Sequence, residues 1–177
     1  DRRADGVQGS GTVRTFALVP GSGPGRAGGE ARATSRDATK SVAPNHANTP
    51  GIDILWVLAH PDDESFGLGA VVDAFIARGS RVTVLCLTEG ESSTLGTGIN
   101  LSKMRRDELA KASRELGVTA TTMHHHPDGA LNTVCRHVLA GEVIDEVGAS
   151  HADGLLVFDH SGVTGHPDHA AATSAAV

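Results

Sequence analysis

From residue 51 onward, short and nearly continuous apolar runs alternate with amphipathic stretches, and this alternation constrains the fold more than any other feature. Ile52-Asp53-Ile54-Leu55-Trp56-Val57-Leu58 reads as a strand buried on both faces. A helix is expected from about Ser65 to Arg78, with Leu68, Val71, Val72, Phe75 and Ile76 as its apolar stripe and Gly79 at its end. Arg81–Leu87 reads as a second strand, and Thr88–Gly98 as a polar loop. The spacing predicts a helix from Leu101 to Leu116 with Met104, Leu109, Ala112 and Leu116 inward, closed by Gly117. A strand near Thr119–Met123, a helix near Val134–Val147, a strand at Leu155–Phe158 and a helix from Pro167 complete the pattern. Such β-α-β-α order predicts an α/β, Rossmann-like three-layer sandwich with a mostly parallel sheet and right-handed crossovers.

Residues 1–50 have another character. They are rich in Gly, Ala, Arg, Ser, Thr and Pro, and Pro20-Gly21-Ser22-Gly23-Pro24-Gly25 suits neither a helix nor a central strand. They read as a disordered or foreign segment ahead of a domain at residues 51–177. A helix opening at Pro167 has barely two turns before Val177, so the domain is expected to be truncated at its C-terminus.

Two polar clusters follow the apolar runs. The first is Ala59-His60-Pro61-Asp62-Asp63-Glu64, and the second is Gly165-His166-Pro167-Asp168-His169. Strand ends of a parallel sheet are where such folds place their sites. His60 and Asp63 are three apart, so a helical turn after Pro61 puts them on one face. An imidazole and a carboxylate make a partial shell for Zn2+. Asp62 then points elsewhere, as a general base must. His166 and His169 repeat the spacing; one completes the shell and the other faces the substrate, and spacing does not choose between them. A lone His-Pro-Asp is ordinarily a turn, and His126-Pro127-Asp128 is read as such. His124, His125 and His126 read as a strand end, Glu89 and Glu91 as a solvated loop, and Asp128 as a candidate for the pocket because it lies past a strand.

The two motifs, with Thr88-Glu89-Gly90-Glu91, Arg105-Arg106-Asp107-Glu108-Leu109, Leu116-Gly117-Val118 and Pro127-Asp128-Gly129 between them, resemble the PIG-L/LmbE family of zinc-dependent N-acetylglucosaminyl deacetylases over residues 52–173. The resemblance implies that His60, Asp63 and His169 are the zinc ligands and Asp62 the general base. It implies that His166 steadies the oxyanion, that Asp168 orients that histidine, and that Arg105 lies near the substrate. At the position of Thr164 the mycothiol-pathway branch carries a tyrosine, and this chain has none. The function expected is removal of an N-acetyl group from an N-acetylglucosamine-type sugar or conjugate. The alternatives are an amidase on a thiol conjugate or other small amide, and an inactive metal-binding fragment.

Charge and cysteine content narrow the setting. A net charge of -6 argues against a nucleic-acid partner. No apolar run reaches the roughly 20 residues that span a bilayer. Cys86 and Cys135 are too few for a disulfide framework and read as small buried residues, which fits a cytoplasmic setting. The expected partner is a small N-acetylated molecule.

Overall fold

A computed structural model of the chain describes residues 14–18, 51–93 and 100–177. The strands are β1 (Arg14–Leu18), β2 (Asp53–Leu58), β3 (Arg81–Thr88), β4 (Ala120–His126) and β5 (Gly154–Phe158). The helices are α1 (Gly69–Ile76), α2 (Leu101–Leu116), α3 (Arg136–Ser150), a short α4 (Gly162–Gly165) and α5 (Pro167–Ala176). The strands form one sheet in the order β1-β5-β2-β3-β4, and every neighbouring pair is parallel.

Alternate residues of the central strand β2 feed two separate cores. Leu55 and Val57 pack with Leu85, Leu131, Leu139, Val143 and Ala172, which brings α3 and α5 onto one face. Ile54, Trp56 and Leu58 pack with Val84, Leu68, Val72 and Leu109, which brings α1 and α2 onto the other. A strand buried on both sides cannot alternate polar and apolar residues, which is why β2 reads as an unbroken apolar run. The sandwich is therefore α/β with three layers, as the alternation predicts.

Most element boundaries match the sequence reading within two residues, and four points differ. The helix expected from Ser65 begins as a π-helical turn at Glu64–Leu68, and the α-helix proper starts only at Gly69. On α2 the buried stripe is Arg105, Leu109 and Ser113, while Met104 is 41% exposed. The inward face is thus rotated by one residue, because Arg105 turns towards the loop after β3. Cys135 is exposed, just ahead of α3, whereas Cys86 is buried as expected. Within residues 1–50, Arg14–Leu18 form an edge strand, paired from Arg14↔Gly154 to Leu18↔Phe158. The free edge of β5 offers backbone partners there, and a short run with Thr15 and Phe16 suits a strand. The rest of residues 1–50, Pro20–Gly25 included, lies outside the described residues, as does the loop segment 94–99. Among the described residues, no helix is long and apolar enough to cross a membrane.

The rotated face of α2 gives a direct test. Leu109→Ala should destabilise the fold by about 2–5 kcal/mol. Met104→Ala should cost less than about 1 kcal/mol, because its side chain is largely solvated. Denaturant unfolding of the two variants measures both.

Candidate metal centre

The sheet order places the two polar clusters together. The chain leaves β2 for β3 and β4 on one side, then returns through α3 to β5 on the other side of β2. Loops that follow β2 and β5 therefore diverge from a switch point and leave a crevice at the carboxyl ends of the strands. His60 stands just past β2, and His166 and His169 stand past β5.

The first cluster is a tight turn closed by its own aspartate. The backbone N–H groups of Asp62 and Asp63 donate to the His60 carbonyl at 3.1 and 3.4 Å. Asp63 Oδ2 accepts from the backbone N–H of Ala59 and of His60, both at 3.0 Å. One oxygen of a carboxylate only 4% exposed is thus spent on the backbone, and Oδ1 is left to face the crevice. The Thr88 hydroxyl and N–H both donate to the Ala59 carbonyl, which ties the turn to the end of β3. Gly90 lies against Pro61 with φ +68, and a Cβ there would stand 2.9 Å from Pro61 Cδ.

The second cluster opens α5. His166 is its N-cap, with Nδ1 accepting from the Asp168 N–H at 3.2 Å, and Pro167 takes the first position, where a missing N–H costs nothing. The Asp168 side chain is 0% exposed. Its Oδ2 accepts from Gly129 N at 2.8 Å and faces His60 Nε2 at 3.1 Å, while Oδ1 accepts from Leu131 N at 2.9 Å. His169 Nδ1 lies 3.0 Å from the Gly162 carbonyl.

These partners fix the tautomers of two rings. A carbonyl can only accept, so His169 carries a proton on Nδ1, which leaves Nε2 as the nitrogen a metal would take. His60 Nε2 faces the carboxylates of Asp168 and Asp128, each at 3.1 Å, so its Nδ1 lone pair turns inward. His60 Nδ1, His169 Nε2 and Asp63 Oδ1 face one another. His60 Nδ1 and His169 Nε2 are 3.3 Å apart, His169 Nε2 and Asp63 Oδ1 are 2.9 Å apart, and His60 Nδ1 and Asp63 Oδ1 are 4.0 Å apart. Donors in a tetrahedral zinc shell, with bonds of roughly 2.0–2.1 Å, stand about 3.3 Å from one another. The set fits a dication, and Asp168 and Gly162 supply the outer partners that metal-binding histidines ordinarily have. His166 also reaches this group, its ring 4.8 Å from that of His60 and 5.1 Å from that of His169. Its Nδ1 is occupied by the helix cap, which leaves Nε2–H as a donor rather than a lone pair.

Charge in the crevice is lopsided. Burial raises the pKa of Asp62 above the ordinary carboxylate value, and the neighbouring Asp63 charge adds to it. Burial likewise raises that of Glu64, whose Oε2 is buried without a hydrogen-bond partner. His169 would be lowered by burial, but the Asp63 hydrogen bond and charge outweigh this and hold it above the usual imidazole value. A metal bound by its Nε2 would compete with that proton.

All eight residues singled out from the sequence lie at or beside this crevice, with one change of contact. Asp168, expected to orient His166, sets its carboxylate against His60 and meets the His166 ring only through its backbone N–H. Asp128 is held in place by Ser92 N at 2.8 Å, with its own N–H donating to Glu91 Oε1 at 2.8 Å. Glu91 is exposed, as expected of a loop residue, and its carboxylate also supports Asp128. Arg105 is 8% exposed, bonded to Glu108 and to Ser93 Oγ, and its charge acts on Asp62. The Gly162 carbonyl and the amides of Gly129 and Leu131 carry no sequence signal, since any residue supplies a backbone group. Two variants probe this scaffold. Asp168→Asn should cost about 1–3 kcal/mol in unfolding experiments, because an amide cannot accept on both sides. It should also weaken zinc binding about 10–100-fold in a chelator competition. Gly162→Ala should weaken zinc binding as well, since φ is +69 there and its Cβ would stand 3.0 Å from His169 Cβ.

Comparison with known proteins agrees with this geometry. The family model for PIG-L, described as GlcNAc-PI de-N-acetylase, matches residues 55–177. A Schizosaccharomyces pombe protein named as a probable N-acetylglucosaminyl-phosphatidylinositol de-N-acetylase is 33% identical over 129 residues, covering 67% of this chain and 48% of its own length. A Streptomyces avermitilis 1D-myo-inositol 2-acetamido-2-deoxy-alpha-D-glucopyranoside deacetylase is 31% identical over 154 residues, covering 72% of this chain and 52% of that protein. In fold, the chain is similar to N,N'-diacetylchitobiose deacetylase from Pyrococcus horikoshii, with a TM-score of 0.63 at 24% identity over 75% of this chain and 50% of that one. The chain spans about half the length of the curated relatives it matches. With its two motifs meeting at the switch point of a parallel sheet, the chain belongs to the PIG-L family.

Proposed function

We propose that the chain carries the catalytic centre of a metal-dependent N-deacetylase. Its substrate is the acetamide of an N-acetylglucosamine-type sugar or sugar conjugate. The observation that carries this reading is the triangle of His60 Nδ1, Asp63 Oδ1 and His169 Nε2, with Asp62 and His166 beside it and outside it. Both curated relatives described above are named as deacetylases of such sugars, which supports the substrate class.

Zinc held by His60, Asp63 and His169 would bring the pKa of a water towards about 7 and polarise the acetamide carbonyl. Asp62 takes the proton of the attacking water, and its raised pKa makes it a stronger base than an ordinary aspartate. The proton on His166 Nε2 faces the oxygen that gains charge, a kind of stabilisation worth several kcal/mol in water-excluded sites. A proton then passes to the amine nitrogen as the carbon–nitrogen bond breaks, leaving acetate and a free amino sugar. Arg105, whose charge acts on Asp62, and Asp128, beside His60, would bind sugar hydroxyls. The acidic surroundings suit a small neutral substrate, and a cytoplasmic setting remains our reading for its location.

Metal removal tests the proposal. Chelation should abolish acetate release from N-acetylglucosaminyl substrates, and zinc should restore it; turnover that is indifferent to metal would sink the idea. Assays on amide conjugates of thiols, run in parallel, separate the sugar deacetylase from an amidase. Stoichiometric zinc without turnover on either class would leave only a metal-binding role. Asp62→Asn should keep the metal yet lose about 10²–10⁴-fold in kcat. The acid limb of the pH profile should lie above the ordinary carboxylate pKa of 3.8, because Asp62 is active only when ionised and its pKa is raised.

A further inference from the structure

The run His124-His125-His126 ends the edge strand β4, and its side chains divide between two faces. His125 Nδ1 turns to Glu89 Oε1 at 2.9 Å. His124 and His126 turn the other way, towards α3, where Glu142 lies between them. His124 Nδ1 is 3.0 Å from Glu142 Oε1, and His126 Nε2 is 2.7 Å from Glu142 Oε2. The two imidazoles are stacked, with centroids 6.0 Å apart and planes 15° apart. None of these three residues belongs to the cluster around His60.

We infer that His124, His126 and Glu142 form a second transition-metal site, set between the sheet edge and α3. The three donor atoms lie within 4.8 Å of one another, and all three side chains are half-buried. Two imidazoles with one carboxylate select ions such as Zn2+, Co2+, Ni2+ or Cu2+ over Mg2+ and Ca2+, which prefer oxygen shells. The supports are rigid. Glu142 is followed by Val143, which with Leu139 anchors α3 in the core. On the strand side, a register shift between Cys86 and Thr88 sets His126 opposite Thr88. Such a bulge re-aims side chains at a sheet edge. The ion would also tie α3 to the strand end that leads through Pro127 to Asp128, whose Oδ1 lies 3.1 Å from His60 Nε2.

The test is metal stoichiometry. The chelator-stripped chain is titrated with Co2+ while visible absorption and bound metal are read. The parent should bind one equivalent more than either Glu142→Gln or His124→Gln, and that equivalent should persist in His60→Ala. Zn2+ should raise the unfolding midpoint of His60→Ala by several degrees, an effect that Mg2+ fails to produce and that His60→Ala with Glu142→Gln loses. Equal stoichiometry in the parent, Glu142→Gln and His124→Gln overturns the second site. So does loss of all bound metal in His60→Ala, provided that variant melts cooperatively. If His60→Ala binds as many equivalents as the parent while Glu142→Gln binds fewer, the second site stands and the proposal for the His60 cluster fails.

Discussion

Three segments of the chain meet at the carboxylate of Asp168. It is fully buried at the start of α5, and it accepts from the amides of Gly129 and Leu131 past β4 while facing His60 past β2. A buried carboxylate without partners would be costly, so the arrangement holds together only when all three segments are present. It also decides which nitrogen of His60 carries a lone pair into the crevice. The position of one oxygen atom thus couples packing to chemistry.

The division of labour in the crevice follows from what each side chain has already been used for. Asp63 gives one oxygen to the backbone of its own turn and keeps the other. His169 gives Nδ1 to a carbonyl and keeps Nε2. His166 gives Nδ1 to the cap of α5 and keeps a donor. Among the described residues Asp62 has no such backbone bond, and burial raises its affinity for a proton. Four side chains in two short motifs therefore offer different atoms to the crevice because the local fold has consumed different atoms of each.

Much of this was legible in the sequence. The apolar runs and the two His-Pro-Asp motifs with a fourth ligand-type residue specify the sheet, the strand ends and the cluster. What was not legible depends on geometry that side-chain identity does not encode. The inward face of α2 departs from the apolar spacing because Arg105, a charged residue, is buried towards Ser93 while Met104 is exposed. The family resemblance assigns Asp168 to His166, yet its carboxylate spans to a histidine from the other motif. The third His-Pro-Asp looked like a turn, and it is one, but Asp128 within it reaches His60 and His126 reaches Glu142. The edge strand Arg14–Leu18 sits in a segment whose composition argues for disorder, and pairing with a vacant sheet edge overrode that bias.

His60 and His169 are 109 positions apart, although their ring nitrogens approach to 3.3 Å. Closing a loop of that size costs roughly 4 kcal/mol of chain entropy before any contact repays it. During synthesis the first motif leaves the ribosome more than a hundred residues ahead of the second. Until β5 lies beside β2, Asp63 is only the closing residue of a turn, and His60 has no second imidazole to share an ion with. With the proposed ligand set, an immature chain would be a poor scavenger of metal at this motif, and capture of an ion would wait on completion of the sheet.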